Sequence, residues 1–261
     1  MWDVIVLTAG DARQRELFER QLASLPWHKY ARVIRVEEDP PGVRIGAGGA
    51  TLHLLREGKL SNGEHVLLIH SGGLSQRTPH LSTCGKLFAL LPSGVTLLEA
   101  KLEAYRPFPF ILSPGVFLAA SDVVEVIPEE LDEEVDKGAD ALLLSHRSSI
   151  EVAEQHGVYI TDAEGALRTV LQKPSRAAME AAGAITDGTA LTDSAYYLSW
   201  PVLGRLARIS LPIDCELCAY GDFLRPLGTN PDLSYIDRTS DESLRAWRSA
   251  LANELRGTKT K

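Results

Sequence analysis

Cysteine is scarce in this sequence, and the features of an exported or membrane-spanning chain are missing from it. Three cysteines among 261 residues are too few for a disulfide framework, which favours a reducing compartment. The first ten residues, MWDVIVLTAG, lack the basic region that opens a signal peptide. The longest apolar runs have the length of a strand, far short of a membrane span. We therefore expect a cytoplasmic protein with no membrane partner.

Positive charge is also scarce. The 27 Lys and Arg residues stand against 35 Asp and Glu residues, for a formal net charge of -8. Sequence-independent binding to nucleic acid needs a basic footprint, so we do not expect nucleic acid as a partner. An acidic protein can still bind free nucleotides, because a few cations within the site are enough, often together with Mg²⁺. The sequence carries no signal of an oligomeric state.

Apolar runs and helical spacing alternate along the chain, with no internal repeat and no long linker. Residues 2–8 (WDVIVLT), 65–69 (HVLLI) and 115–120 (GVFLAA) are typical of buried parallel strands. With 44% hydrophobic residues, the chain can build a full core. This pattern predicts an α/β fold with a mostly parallel sheet, in a single domain over residues 1–257. Residues 258–261 are expected to form a disordered tail.

The stretch 69–88, IHSGGLSQRTPHLSTCGKLF, begins where a predicted strand ends and contains the clearest phosphate-binding pattern. Gly72 and Gly73 let backbone N–H groups approach an anion, because no Cβ stands in the way. Four further residues add hydroxyl donors or positive charge: Ser71, Ser75, Arg77 and Lys86. These groups predict a polyphosphate cradle at the carboxyl end of a strand, where α/β folds place their ligands. It is not a P-loop, since no G-K-[ST] closes it, and the alternative is an ordinary strand–loop–helix connection.

A second glycine-rich loop, residues 45–52 (IGAGGATL), opens a predicted short helix. Its spacing is close to a dinucleotide fingerprint, but it follows a proline-rich turn rather than a buried strand. In addition, no carboxylate closes the strand about 20 residues further on. We therefore expect Gly46, Gly48 and Gly49 to form a second nucleotide-contacting loop, near the base. The alternative is that these glycines serve close packing alone.

Two charged side chains at strand ends are candidates for the remaining chemistry. Asp122 follows the apolar run 115–120, where a carboxylate can hold Mg²⁺ against phosphate oxygens, although a helix N-cap is the alternative. Lys173 lies where a strand meets a proline, a rigid position from which an ammonium can meet a second phosphate. Its alternative is a solvated surface lysine. We interpret Cys215 and Cys218 as small helix residues rather than a zinc site, since no second pair accompanies them.

Eight segments occur in the order expected of one enzyme family. They are WDVIVLTA, IGAGGATL, IHSGGLSQRTPHLSTCGKLF, LAASDV, HGVYITD, QKPS, LTDSAYYL and CELCAYGDFLRPLG, and they cover residues 2 to about 228. In this order the chain resembles the nucleotide-diphospho-sugar transferases. More narrowly, it resembles the fucose-1-phosphate guanylyltransferases (GDP-L-fucose pyrophosphorylases) and the pyrophosphorylase half of the bifunctional fucokinases. A single segment is modest support, whereas eight collinear segments are specific.

The resemblance implies the reaction GTP + L-fucose 1-phosphate → GDP-L-fucose + pyrophosphate, with Mg²⁺. It also implies that Arg77 contacts the leaving β,γ-phosphates, Lys86 the α-phosphate and Lys173 the sugar phosphate. Asp122 and Asp222 are implied as the metal-binding carboxylates. Animal members of the family continue into a β-helix-like C-terminal region, which we expect to be absent from this chain.

Three alternatives stay open at this point. The same fold could act on another base or sugar, because no residue pattern here identifies guanine or fucose. The chain could instead be a non-catalytic sugar-nucleotide-binding regulatory protein, although the complete set of Arg, Lys and Asp argues against that. A nicotinamide-dependent oxidoreductase is the third alternative, weakened by the missing carboxylate after the glycine-rich loop.

Overall fold

The computed structural model describes residues 1–72, 81, 84–127 and 138–261. The chain divides into two compact units. The first consists of Met1–Val43 and Leu60–Lys137, and the second of Arg44–Lys59 and Gly138–Lys261. Within the described ranges, no helix combines the length and the apolar character that a membrane crossing requires.

The described part of the first unit is built on a parallel sheet. Its strands are β1 (Trp2–Ala9), β2 (Ala31–Glu38), β3 (His65–His70) and β4 (Gly115–Ala120). β1 pairs with β2 on one side and with β3 on the other, and β4 extends the sheet beyond β3. Most residues of β1, β3 and β4 are buried, as expected of parallel strands that are covered on both faces. These strands confirm the three predicted apolar strands.

The strand order β2-β1-β3-β4 determines where the first unit can bind a ligand. The order reverses between β1 and β3, and open parallel sheets bind ligands in the crevice at such a switch point, outside the carboxyl ends of the strands. β1, β3 and β4 run in the same direction, so their carboxyl ends lie at one edge of the sheet. Ser71 and Gly72 are the first two residues after β3, and Asp122 is the second residue after β4.

The second unit contains an antiparallel sheet. Its strands are β5 (Ala141–Ser149), β6 (Gly157–Thr161), β7 (Leu167–Gln172) and β8 (Thr189–Ser199). β8 pairs with β5 and with β6, and β6 and β7 form a hairpin. Lys173 is the first residue beyond β7, so the hairpin determines where it lies.

Helices alternate with most of the strands along the described chain, which confirms the predicted α/β class. The described α-helices are α1 (Ala12–Leu22), α2 (Gly46–Arg56), α3 (Leu97–Ala104), α4 (Phe108–Ile111), α5 (Ile150–Ala153), α6 (Arg176–Ala181), α7 (Trp200–Ala207) and α8 (Glu242–Leu255). In the second unit, α7 packs against both α2 and α8. The arrangement is consistent with a nucleotide-diphospho-sugar transferase fold.

The predicted disorder of residues 258–261 is wrong. Thr258 and Thr260 are buried, and Thr260 forms a parallel bridge with Ala141 of β5. The N–H of Leu143 donates to the Lys261 carbonyl oxygen at 2.8 Å, and the Lys261 N–H donates to the Ala141 carbonyl oxygen at 3.1 Å. The tail therefore pairs with a strand edge, which satisfies backbone groups that would otherwise stay exposed.

Candidate active site

Lys86 and Asp122 form the charged centre of the first unit. The Lys86 Nζ donates a hydrogen bond to Asp122 Oδ2 at 2.8 Å. Lys86 opens the 3₁₀ turn Lys86–Phe88, and Asp122 lies two residues beyond the end of β4. The Lys86 side chain is 25% exposed and that of Asp122 is 54% exposed, so a ligand can reach both charges. The structure thus brings a predicted phosphate-binding cation and the predicted metal carboxylate together.

The ionisation of Asp122 suits a divalent cation. Partial burial by itself would raise the pKa of Asp122, but the hydrogen bond and charge of Lys86 outweigh it and hold the pKa below its usual value. Mg²⁺ is commonly bound by one or two carboxylates together with substrate phosphates, so a single accessible Asp122 fits such an ion. Among the described residues, no three Asp, Glu, His or Cys side chains cluster into a metal site of their own.

Lys101 anchors the segment that carries Asp122. This lysine of α3 is fully buried, and its Nζ donates to Glu125 Oε2 at 2.8 Å and to the Val123 carbonyl oxygen at 2.7 Å. It donates a third hydrogen bond to Tyr105 Oη at 3.0 Å. Burial lowers the pKa of Lys101, and the charge of Glu125 partly offsets this. A buried ion pair and a hydrogen bond from Lys101 therefore fix the segment that follows β4 to α3.

Thr8 of β1 holds the start of the predicted phosphate loop. The Ser71 hydroxyl donates to the Thr8 carbonyl oxygen at 2.6 Å, and the Ser71 N–H donates to Thr8 Oγ1 at 3.0 Å. The Gly72 N–H donates to the same hydroxyl oxygen at 3.3 Å. A Cβ at Gly72 would lie 3.0 Å from the Gly10 nitrogen, so a glycine allows the loop to approach β1 this closely. These contacts engage the donors that Ser71 and Gly72 were predicted to offer a phosphate.

The glycines of the 45–52 loop are accounted for by packing in the second unit. Gly46 has φ +66°, and a Cβ on it would lie 2.4 Å from the Leu217 carbonyl oxygen. The Gly48 N–H donates to that same oxygen at 2.9 Å. A Cβ on Gly49 would lie 2.7 Å from Ile45 Cβ. These contacts support the alternative of close packing and account for the glycines without a nucleotide.

The second unit has a cavity of about 540 Å³ beside the end of β7, and Lys173 lies on its wall. Lys173 has φ 47°, a left-handed conformation that costs a non-glycine residue on the order of 1–3 kcal/mol. Its N–H donates to the His156 carbonyl oxygen at 2.9 Å, which ties it to the residue before β6. Backbone strain of this kind concentrates at ligand sites. Three arginines and a tyrosine share the wall: Arg225, Arg238, Arg248 and Tyr235.

Asp222 is engaged inside the second unit rather than open to a metal ion. It is 2% exposed, and its Oδ1 accepts a hydrogen bond from Arg248 Nε at 2.8 Å. Its Oδ2 accepts the Cys218 N–H, also at 2.8 Å. Because both carboxylate oxygens already have donors, the structure favours a structural role for Asp222 over the expected metal role. The same pair neutralises Arg248 next to the cavity.

Three predicted residues, Gly73, Ser75 and Arg77, lie outside the described residues, and their roles stay predictions. The interpretation of Cys215 and Cys218 as helix residues is wrong, because both lie in the irregular segment that follows α7, where Cys215 is buried and Cys218 is exposed. Burial raises the pKa of the Cys215 thiol to about 11, and the Cys218 sulfur accepts the Gly221 N–H at 3.1 Å. Both are free thiols.

Sequence reasoning missed Thr8, Lys101, Arg225 and Asp39. The apolar spacing around Lys101 in LLEAKLEA (residues 97–104) was the available signal, since it places this lysine on the buried face of α3. Asp39 follows β2, and its N–H donates to the Ala9 carbonyl oxygen at 2.8 Å. Burial raises the pKa of Asp39 to about 6. Nothing in the local sequence around Thr8 or Arg225 indicates the contacts of these two residues.

Comparison with known proteins gives a consistent result. A family model described as "Fucose pyrophosphorylase domain" matches residues 58–261. The chain is similar to fucose-1-phosphate guanylyltransferase of Mus musculus, at 32% identity, and of Homo sapiens, at 31% identity, in each case over 98% of this chain. It covers 52% and 51% of those proteins, so it spans about half the length of the curated relatives it matches. A bifunctional fucokinase/GDP-fucose pyrophosphorylase of Arabidopsis thaliana is 28% identical over 83% of this chain and 25% of its own length.

Proposed function

The chain belongs to the fucose pyrophosphorylase family, and from this premise we propose that it joins GTP and L-fucose 1-phosphate into GDP-L-fucose, with release of pyrophosphate. Family membership confirms the resemblance that eight collinear segments predicted. The proposed substrates follow from the names of the mouse and human relatives. The observation that carries the proposal is the accessible Lys86–Asp122 pair, beyond the carboxyl ends of a parallel sheet.

The proposed reaction needs no base from the protein. A phosphate monoester has a second pKa of about 6, so the sugar phosphate is already largely a dianion near neutral pH. One of its oxygens bonds to the α-phosphorus of GTP, and the bond from that phosphorus to the bridging oxygen breaks to release pyrophosphate. The obstacle is the repulsion between two polyanions. Catalysis therefore rests on positioning and on neutralisation of charge.

Different residues neutralise the charge of different phosphate groups in this proposal. Lys86 neutralises the α-phosphate, Arg77 contacts the leaving β,γ-phosphates and Lys173 contacts the sugar phosphate. Asp122, ionised and half-exposed, would hold Mg²⁺, which when bound neutralises further phosphate charge. Two residues complete the proposed nucleotide cradle: Gly73 and Ser75. The free thiols of all three cysteines support the cytoplasm as the proposed compartment.

The test measures pyrophosphate release across a panel of GTP, ATP and UTP, each paired with several sugar 1-phosphates in the presence of Mg²⁺. GTP with L-fucose 1-phosphate should give the highest kcat/KM. Lys86→Ala should lower the rate about 100-fold or more, the scale seen when one transition-state donor is deleted. Lys29→Ala is the matched control, since Lys29 is an exposed lysine of the same unit whose ammonium lies over the Tyr30 ring.

Each result of this panel decides between the proposal and its alternatives. A preference for another nucleotide or sugar would keep the chemistry and replace the substrates. Binding of GDP-L-fucose without any release of pyrophosphate would favour a regulatory protein. Turnover by Lys86→Ala at the rate of the Lys29→Ala control would refute the role given to Lys86.

A further inference from the structure

The cavity of the second unit carries more positive charge than its surroundings neutralise. Four cations and one carboxylate, Asp232, line it. Arg248 is paired with Asp222 at 2.8 Å. Arg238 reaches Asp232 at 3.9 Å and donates to the Ser234 hydroxyl at 2.7 Å. Among the residues that the structure describes, this leaves two cations of the cavity without an ion pair, Lys173 and Arg225.

Arg225 is prepared for an anion that the described residues do not supply. Its guanidinium lies over the Tyr235 ring, 4.4 Å from the ring centre, which fixes its plane without using its N–H groups. Its buried Nε has no hydrogen-bond partner, and no carboxylate of the described chain forms an ion pair with it. A buried donor without a partner is costly, so such groups are usually satisfied in the functional state.

Arg225 stays charged in this setting. Burial and the neighbouring Arg248 lower the pKa of its guanidinium, while Asp222 acts in the opposite direction. An arginine remains protonated under such shifts, because its ordinary pKa lies far above neutrality. The planar fork of a guanidinium matches two oxygens of one phosphate, whereas an ammonium is a point charge. A phosphate bound in the cavity would therefore accept two N–H groups from the Arg225 guanidinium and be contacted by the Lys173 ammonium, since both residues line it.

We infer that Arg225 is a second phosphate-binding residue of the sugar-phosphate site, forking two N–H groups onto the phosphate that Lys173 also contacts. The inference rests on the proposed function for the identity of the ligand, a sugar 1-phosphate. It assigns a role to Arg225, which lies in the segment CELCAYGDFLRPLG but received no function from the sequence patterns or from the resemblance. Tyr235 is the positioning residue that holds the fork in place.

The test measures binding of L-fucose 1-phosphate by calorimetry, with inorganic phosphate as a second probe, and KM for both substrates. Arg225→Met should weaken binding of the sugar phosphate roughly 10- to 100-fold, since hydrogen bonds to a charged group are lost, and should leave KM for GTP unchanged. Arg225→Lys should fall between wild type and Arg225→Met. Arg238→Met is the matched control, because its guanidinium lines the same cavity but is already paired, and it should change affinity less than about threefold.

Several outcomes would overturn the inference. They are wild-type affinity in Arg225→Met, an equal loss in Arg238→Met, and a change in KM for GTP rather than for the sugar phosphate. Thermal unfolding of each variant, together with Arg225→Lys, separates lost binding from lost folding. If wild type binds the sugar phosphate through Arg225 but releases no pyrophosphate with any nucleotide, the proposed function fails and the site stands. Normal turnover by Arg225→Met would leave the proposed function standing and refute the role given to Arg225.

Discussion

Replacing Lys101 by methionine should destabilise the first unit strongly, because it removes the buried cation that pairs with Glu125. The two side chains are 0% and 8% exposed, and the atoms of the pair lie 2.8 Å apart. Breaking a buried ion pair by removing one partner costs about 3–5 kcal/mol. The Val123 carbonyl oxygen and the Tyr105 hydroxyl lose a donor in the same variant. We therefore expect Lys101→Met at the upper part of that range.

A double variant separates the charge from the packing. In Lys101→Met/Glu125→Gln the charge of Glu125 is removed as well, while the side-chain volumes are nearly kept. The double variant should therefore recover about 2 kcal/mol relative to Lys101→Met alone, a coupling of the size found for residues in contact. If the pair acted through shape only, the second change would add to the damage instead.

The assay is urea unfolding followed by far-UV circular dichroism, with the midpoint and the slope compared across the variants. Lys29→Met, an exposed lysine in the same unit, is the control and should stay within about 0.5 kcal/mol of wild type. The reasoning is refuted if Lys101→Met costs less than about 1 kcal/mol, or if the double variant is less stable than the single one.

Two further predictions concern an ionisable group and a glycine. Burial raises the pKa of Asp39 to about 6, so between about pH 4 and pH 6 the folded protein keeps a proton that the unfolded chain has released. Stability is therefore lost as pH rises through that window, and Asp39→Asn should be near neutral at pH 4 but stabilise by on the order of 1–3 kcal/mol at pH 8, measured as Tm against pH. An equal effect at both pH values would contradict this. Gly46→Ala should destabilise by about 2–4 kcal/mol, because its φ is +66° and a Cβ would meet the Leu217 carbonyl oxygen at 2.4 Å. Gly204→Ala, in α7 with open space around it, is the control and should be neutral or stabilising in the same unfolding assay.

Local patterns in the sequence determined the class of the fold and part of the candidate site. The apolar runs at 2–8, 65–69 and 115–120 became β1, β3 and β4, because a strand buried on both faces has to be apolar along its length. Lys86 and Asp122 could be assigned to one site because parallel strands end at the same edge of a sheet. The family itself could be recognised from collinear segments, since their order is a property of the chain alone.

Only the tertiary structure decided which polar groups are already engaged inside the protein. Ser71 bonds to Thr8, 63 residues away, and Asp222 bonds to Arg248, 26 residues away. Partners this far apart leave no periodic or local pattern, because their contact depends on the order of strands and the packing of helices. For the same reason, the sequence could not tell that the guanidinium of Arg225 forms no ion pair with a carboxylate among the described residues. Whether a charge in a cavity is neutralised depends on all the side chains that the fold brings close to it, whereas the sequence shows directly only its neighbours along the backbone.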